Sequence, residues 1–298
     1  MRKILTLFII VSLAFSCFFA CGEHKNEKFT IVTTNFAIYD WTKNIVGDDC
    51  NVKLLIDNGS DVHSYQPSVK DIADIASCDM FIYVGGESDE WVSEALENAS
   101  GKERVELSLL ASDAFTSYKE ELAEGMEGEE EDALDEHIWL SVNVAGKCTR
   151  KIAEILSEKL PEFSDKFLEN AENYVAKLNK LDENFRNKLN VKTLVFADRF
   201  PFRYFVEDYD LEYFAPFSGC SAETEASAAT VAFLTNKVRE LDTKFVFVLS
   251  GNNEKLAKTI APGAEILTLN SIENITTLEN TSYIELISQN METILRAN

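Results

Sequence analysis

The stretch PEFSDKFLENAENYVAKLNKLDENFRNKL, residues 161–189, decides the fold, because it predicts one long helix between two regions that alternate strands and helices. Pro161 stands at its start, where the first turn of a helix tolerates a proline. At about 1.5 Å per residue the helix would be roughly 43 Å long, more than one small domain needs. The stretch therefore predicts a stiff connector between two halves of the chain.

The N-terminal half alternates short apolar strands with amphipathic helices. Its predicted strands are FTIVTT (29–34), NVKLLI (51–56), DMFIYV (79–84) and RVELS (104–108), and its predicted helices lie at 36–47, 67–77 and 88–98. Buried strands that alternate with helices indicate a parallel sheet that helices cover on both faces.

The same alternation resumes after the connector. After the connector the predicted strands are TLVFA (193–197), LEYFA (211–215), KFVFVLS (244–250) and EILTL (265–269), and the predicted helices lie at 202–209, at 226–242, from about 252 and near 279–296. One further helix is predicted just before the connector, at 141–159. We therefore predict an α/β protein with two lobes, each a mainly parallel sheet flanked by helices, joined by one long backbone helix. The expected segments are an N-terminal leader (1–20), a tether (21–28), an N-terminal lobe (29–140), connecting helices (141–190) and a C-terminal lobe (191–298).

The first residues predict export. Two basic residues precede an apolar run at 4–20, and Ala20 stands before Cys21. This pattern is typical of a secretory signal and is too short and poorly flanked for a stable membrane span. Cys21 resembles the lipidated cysteine of a bacterial lipobox, which predicts an extracytoplasmic protein anchored to the cell membrane. Cleavage before Cys17, or a plain cleaved signal, stays open.

The net charge and the cysteine spacing argue against two classes of function, nucleic-acid binding and a zinc ribbon. The formal net charge of −23 argues against binding nucleic acid, whose phosphates need a basic face. It suits a protein that meets cations. Four cysteines follow Cys21: Cys50, Cys78, Cys148 and Cys220. No two of them form a CxxC pair, so their spacing does not predict a zinc ribbon. A disulfide between Cys50 and Cys78 stays open.

Four polar residues lie at or beyond the carboxyl ends of predicted strands, two in each half. Ligands of open parallel sheets bind at such ends. Two imidazoles and two carboxylates suit Zn²⁺ and are acceptable to Mn²⁺. The candidate metal ligands are His63, His137, Asp198 and Glu254.

Neighbouring carboxylates could orient the two imidazole rings by accepting the N–H that does not face the metal. Asp61 is the candidate beside His63, and Glu136 or Asp135 beside His137.

Six motifs carry a resemblance to a known family: VTTNFAIYDW, DVHSYQPS, IYVGGESDEWV, DEHIWLS, FADRFPFRYF and GCSAETEAS. In this order they resemble the metal-binding lipoprotein receptors of bacterial zinc and manganese ABC transporters. The resemblance extends from Cys21 to the C-terminus and implies that His63 and His137 are the first two ligands. It also implies a monomer that holds one ion between its lobes and delivers it to a membrane permease and its ATPase.

The chain departs from that family at two places. Many members carry a histidine or a glutamate where this chain has Ala197, so Asp198 is the nearest substitute; it could equally cap a helix or pair with Arg199 or Arg203. Members carry an acidic residue shortly after the penultimate strand, where this chain has Glu254, although the first turn of a helix favours a carboxylate without any metal.

The acidic segment 124–136 replaces the histidine-rich loop of many zinc receptors. Its dense negative charge predicts a solvated loop.

Three functions compete at this point. The first is a metal receptor without catalysis, with Zn²⁺ favoured over Mn²⁺. The second is a metal-dependent hydrolase, although the chain has no HExxH or GxSxG motif and Glu136 is the only candidate for a general base. The third is a surface adhesin or structural lipoprotein in which metal binding is incidental.

Overall fold

The structure, a computed structural model, describes residues 28–298 apart from positions 58, 61, 100–102, 121, 128–132, 222–224 and 274. The predicted signal peptide, the lipidation site Cys21 and the candidate orienting residue Asp61 lie outside the described residues.

The first half contains one four-stranded parallel sheet. Its strands are β1 (Thr30–Thr33), β2 (Asn51–Leu54), β3 (Met80–Tyr83) and β4 (Val105–Ser108), in the order β2-β1-β3-β4. Ile31 pairs with Val52 on one side and Met80 on the other. Ile31 and Val32 are both fully buried but belong to separate core clusters on opposite faces, as the period of two in a strand requires.

The helices of this half begin where the sequence supplies caps. They are α1 (Phe36–Val46), α2 (Val69–Ser77) and α3 (Trp91–Asn98). Asn35 accepts the N–H of Ile38 at the start of α1. Ser68 and Asp71 form a reciprocal capping box at the start of α2, so that helix begins after the predicted Pro67.

Two long helices stand between the halves, α4 (Val142–Lys159) and α5 (Ser164–Arg186), which pack against each other. The long helix is shorter than predicted: α5 has 23 residues, or about 34 Å. The reason is that Pro161–Phe163 form a 3₁₀ turn that reverses the chain after α4. α5 contacts both halves, since Tyr174 donates a hydrogen bond to Asp40 in α1 at 2.8 Å and Phe185 packs on Phe205 and Tyr209.

The second half is built from three parallel strand pairs. Its strands are β5 (Thr193–Val195), β6 (Arg199–Phe200), β7 (Glu212–Phe214), β8 (Phe217–Ser218), β9 (Phe245–Leu249) and β10 (Glu265–Leu269), and its helices are α6 (Arg203–Tyr209), α7 (Ala228–Glu240), α8 (Lys255–Ile260) and α9 (Tyr283–Leu295). β5 pairs with β7, β9 with β10, and β6 with β8. A parallel bridge between Phe196 and Phe247 joins the first two pairs.

The predicted fold class is confirmed: parallel sheets flanked by helices lie on either side of a long helix. The two-residue strands β6 and β8 were not predicted, because pairs this short carry no periodicity.

None of the four cysteines within the described residues forms a disulfide, so the bridge between Cys50 and Cys78 is absent. No helix in the described part of the chain is long and apolar enough to cross a membrane.

Candidate metal centre

Three side chains from three separate loops converge between the halves: His63, His137 and Glu273. The rings of His63 and His137 lie 5.4 Å apart, centroid to centroid. Oε1 of Glu273 is 3.8 Å from Nε2 of His63 and 3.4 Å from Nε2 of His137. Two atoms bound to one tetrahedral Zn²⁺ at ordinary bond lengths are about 3.3 Å apart, so the two separations between Glu273 and the imidazoles are close to those that a shared ion needs.

A carboxylate lies at the Nδ1 atom of each ring, on the side away from Glu273. Nδ1 of His63 lies 3.1 Å from Oε1 of Glu136, and Nδ1 of His137 lies 3.2 Å from Oδ1 of Asp135. A carboxylate that accepts the Nδ1–H fixes the tautomer and leaves the Nε2 lone pair for a metal. Both Nε2 atoms therefore face Glu273, where each can bind a metal once it carries no proton.

The centre is deeply buried and incompletely hydrogen-bonded. His137 is 0% exposed and Glu273 is 2% exposed. In the described part of the chain, neither Nε2 of His137 nor Oε1 of Glu273 has a hydrogen-bond partner. Buried polar atoms are nearly always satisfied, so two orphaned atoms that face each other fit a metal ion between them.

The electrostatics of the centre favour protonated imidazoles in the metal-free protein. Burial alone lowers the pKa of His137, but the carboxylates of Asp135 and Glu273 outweigh it and raise the pKa to about 10. Burial also lowers the pKa of His63, but the nearby carboxylates of Glu136 and Glu273 outweigh it, so that this pKa is raised.

The pKa values of the two glutamates, Glu136 and Glu273, are lowered. Burial raises the pKa of Glu136, but the hydrogen bond from His63 and the charge of His137 lower it to about 2. The pKa of Glu273 is likewise held below its usual range, because the two imidazoles and Arg199 together outweigh the cost of burial. At neutral pH a proton on His137 therefore takes the place of the cation in the metal-free protein.

Glycines allow the close packing around the two central side chains. A Cβ atom on Gly86 would lie 2.3 Å from Oε2 of Glu136, the oxygen that accepts hydrogen bonds from the backbone N–H and the hydroxyl of Ser88. A Cβ on Gly219 would lie 2.6 Å from Cε1 of His137. Gly86 of IYVGGESDEWV and Gly219 thus shape the wall of the site.

A strained turn aims Glu273 inwards. Ile272 has φ 61°, a left-handed conformation that a β-branched residue rarely adopts. Oδ1 of Asn270 holds it by accepting the Ile272 N–H at 2.7 Å. Strain of this kind is concentrated at functional sites, where the surrounding structure maintains it.

The ligand-bearing loops are also joined directly. Nε1 of Trp139 donates a 2.7 Å hydrogen bond to the carbonyl of Ser271. Trp139 stands two residues after His137, and Ser271 two residues before Glu273. This buried bond therefore sets the position of one ligand loop against the other.

The other two predicted ligands lie outside the cluster. Asp198 accepts a hydrogen bond from the backbone N–H of Leu249 at 3.0 Å, and both of its oxygens accept from the side-chain amide of Asn252. Asp198 therefore connects the segment after β5 to the end of β9. Glu254 stands before α8, half-exposed, and pairs with Lys258 at 2.8 Å. For Glu254 this is the alternative that the sequence left open, a carboxylate at the start of a helix. For Asp198 the contacts with Leu249 and Asn252 differ from the helix cap and the arginine pairing that the sequence left open.

Glu273 was not among the residues singled out in the sequence, and neither was its contact with Arg199. Glu273 lies four residues beyond β10, and Glu254 lies four residues beyond the strand predicted at 244–250. The usable signal was the apolar setting of Glu273, which stands next to Ile272 and two residues before Ile275, whereas Glu254 follows two asparagines.

A thiol borders the centre. Sγ of Cys220 lies 3.6 Å from Oε1 of Glu136. Burial and the nearby carboxylates raise the pKa of this thiol, which keeps it protonated. Glu87, Glu120 and Cys220 also lie close enough together to share a cation, and all three are more exposed than Glu136.

Residues 31–297 match the protein family described as ZnuA, zinc-uptake complex component A, periplasmic. The chain is 30% identical over 312 residues to the high-affinity zinc uptake system protein ZnuA of Bacillus subtilis, covering 96% of this chain and 95% of that protein. It is 32% identical over 307 residues to the zinc-binding lipoprotein AdcA of Streptococcus pneumoniae, covering 99% of this chain and 60% of AdcA. The chain thus spans less than two thirds of AdcA.

Solved structures share the fold. The Zn(II)-bound ZnuA-like domain of S. pneumoniae AdcA superposes with a TM-score of 0.73 at 29% identity, covering 91% of this chain and 98% of that domain. The laminin-binding protein Lmb of Streptococcus agalactiae, described as bifunctional with adhesin and metal-transporting activity, gives a TM-score of 0.74 at 25% identity, covering 90% of this chain and 99% of that one.

Proposed function

This chain belongs to the ZnuA family of zinc-uptake components, and we propose that it is an extracytoplasmic receptor that captures one Zn²⁺ ion and delivers it to an ABC permease and its ATPase. Mn²⁺ is the alternative cargo. His63, His137 and Glu273 bind the ion, and Glu136 and Asp135 orient the two imidazoles. The lobes at 29–140 and 191–298 hold the ion between them, with 141–190 as the connector.

One observation carries this proposal: Nε2 of His137 and Oε1 of Glu273 are buried, lie 3.4 Å apart and lack hydrogen bonds among the described residues. The donor set of two imidazoles and one carboxylate is also one that Zn²⁺ takes in proteins. Three protein ligands leave a fourth position for water or another oxygen, which suits an ion that has to be released.

The proposed place of action is the outer face of the cell membrane. The family is described as periplasmic, and the relative AdcA is named a lipoprotein. These names support removal of residues 1–20 and lipidation of Cys21. We take the receptor to be a monomer, because all three ligands come from one chain.

The competing functions have less support. The matching family and the curated relatives are described by zinc uptake or zinc binding and not by catalysis. Glu136, the candidate general base, is already bound by His63 and Ser88. The adhesin interpretation is supported by the description of Lmb, but Lmb is described as transporting metal as well.

Titration of the metal-stripped protein with Zn²⁺ tests the proposal. His63→Ala, His137→Ala and Glu273→Gln are each expected to weaken Zn²⁺ binding at least about a hundredfold, because each removes one of three ligands. Glu254→Gln is the matched control: it neutralises a half-exposed glutamate that pairs with Lys258 and should leave the affinity within about twofold. Zn²⁺ binding that survives all three ligand substitutions would exclude this site.

A further inference from the structure

A guanidinium group stands beside the proposed cation site. Nη2 of Arg199 lies 2.7 Å from Oε2 of Glu273. The Arg199 side chain is 16% exposed and that of Glu273 is 0% exposed, so the pair is largely withdrawn from water. Glu273 therefore has one oxygen on Arg199 and the other, Oε1, facing the two histidines.

The position of Arg199 is built into the fold. Its backbone forms β6, and Arg199 pairs in register with Phe217 of β8. Nη1 donates a 3.3 Å hydrogen bond to the carbonyl of Gly219, the residue that follows β8 and packs against His137. The guanidinium is thus held between two fixed acceptors, Gly219 and Glu273.

A fixed positive charge near a cation site lowers the affinity for every divalent cation, because like charges repel at short range. Its presence calls for a compensating role in the site. That role can be to restrict the carboxylate: because Arg199 holds Oε2, Glu273 can present only Oε1 to a metal.

We infer that Arg199 is a positioning residue that restricts Glu273 to one metal-bound oxygen and thereby selects Zn²⁺ against Mn²⁺. This inference rests on the proposed function. Zn²⁺ is satisfied by four ligands in a tetrahedron, so two imidazoles, one carboxylate oxygen and one water complete its shell. Mn²⁺ favours more oxygen ligands in an octahedral shell. A carboxylate limited to one oxygen removes one of the ligands that Mn²⁺ would otherwise take.

The test compares the dissociation constants of Zn²⁺ and Mn²⁺ in the wild-type chain, Arg199→Met and Arg199→Lys, each metal measured alone on the metal-stripped protein. Arg199→Met removes both the charge and the hydrogen-bond donors, whereas Arg199→Lys keeps the charge and a donor. The charge acts equally on two divalent ions, so it cancels in the ratio of the two dissociation constants. Only a change in how Glu273 coordinates alters that ratio.

In Arg199→Met we expect Mn²⁺ binding to tighten at least about tenfold more than Zn²⁺ binding. In Arg199→Lys the ratio should stay within about threefold of the wild type. An unchanged ratio in a folded Arg199→Met chain overturns the inference. A wild-type chain that does not bind Zn²⁺ overturns the proposed function instead, so the two failures are distinguishable.

A second measurement covers the case in which Arg199→Met does not fold. The crystal structure of the Zn²⁺-loaded wild-type chain should show one oxygen of Glu273 on the metal and the other on Arg199. Both oxygens on the metal, with Arg199 turned away, would overturn the inference without any variant.

Discussion

Gly219 and His137 are in such close contact that a Cβ atom on the glycine would fall 2.6 Å from Cε1 of the imidazole. The glycine forms part of the wall of the metal centre, and no side chain fits there unless the ring moves. The loop after β8 and the loop before α4 are therefore shaped to each other around one ligand.

Gly219→Ala is expected to weaken Zn²⁺ binding by about tenfold or more, because the methyl group displaces a ligand that must be held within a fraction of an ångström. Isothermal titration with Zn²⁺ measures the effect. Gly146→Ala is the matched control, since its Cβ would meet Val175 at an ordinary 3.5 Å inside α4. That control should bind Zn²⁺ normally and gain about 0.5–1 kcal/mol in stability. Equal affinities in both variants would contradict the close contact.

Trp139→Phe should lower both stability and Zn²⁺ affinity. It removes the buried indole N–H that bonds the carbonyl of Ser271 and leaves that carbonyl unpaired, at a cost of about 1–3 kcal/mol in the free energy of unfolding. We expect the looser connection between the two ligand loops to weaken Zn²⁺ binding several-fold.

Trp91→Phe is the control for that substitution, because Nε1 of Trp91 has no hydrogen-bond partner among the described residues. Denaturant unfolding and Zn²⁺ titration of both variants give the comparison. Loss of Zn²⁺ affinity in Trp91→Phe and not in Trp139→Phe would refute the role assigned to the indole bond.

Zn²⁺ binding should release protons and tighten as the pH rises. The pKa of His137 is raised to about 10, so this imidazole is charged in the metal-free protein near neutral pH, and the pKa of His63 is raised as well. The metal takes the Nε2 lone pair, so each ligand must first lose that proton, and a higher pH lowers the cost.

Calorimetry in two buffers with different ionisation enthalpies measures the proton release directly. We expect roughly one to two protons per Zn²⁺ at pH 7. No proton release, together with an affinity that is constant from pH 6 to pH 8, would show that the imidazoles are neutral before the metal binds.

Asp89 should make the metal-free protein less stable as the pH rises. It is 5% exposed, and burial is the main cause that raises its pKa to about 7. The carboxyl of the unfolded chain titrates near 3.9. The folded state therefore holds a proton that the unfolded state has lost, and stability falls between about pH 4 and pH 7.

Asp89→Asn removes that dependence and retains an oxygen that can accept from the backbone N–H groups of Val84 and Gly85. Relative to the wild type, the variant should gain up to about 4 kcal/mol in the free energy of unfolding between pH 4 and pH 7. Denaturant titrations at the two pH values measure this difference. A difference that does not grow with pH would contradict the burial argument.

Patterning along the chain was enough to predict the alternating α/β architecture and to single out two of the three proposed ligands. His63 and His137 stand in polar segments beyond strand ends, where chemistry-bearing side chains collect in parallel sheets. The strand at 265–269 was predicted at its observed bounds, because EILTL is followed at once by the turn residues Asn270 and Ser271.

Local sequence does not show which of Glu254 and Glu273 is the candidate ligand. Both follow a predicted strand at the same distance, and only the three-dimensional path of the chain separates them. Glu254 starts a short surface helix, whereas the left-handed turn at Ile272 directs Glu273 into the interior. The partner of Glu273 is similarly non-local, since Arg199 lies in a two-residue strand that no periodicity reveals.

The central claim is that one ion is shared by His63, His137 and Glu273. Anomalous diffraction at the zinc edge from crystals of the Zn²⁺-loaded chain tests it most directly. We predict one strong peak within about 2.2 Å of Nε2 of each histidine and of Oε1 of Glu273. A peak bound instead by Asp198 or Glu254, or one that touches only one of the two histidines, would contradict the account.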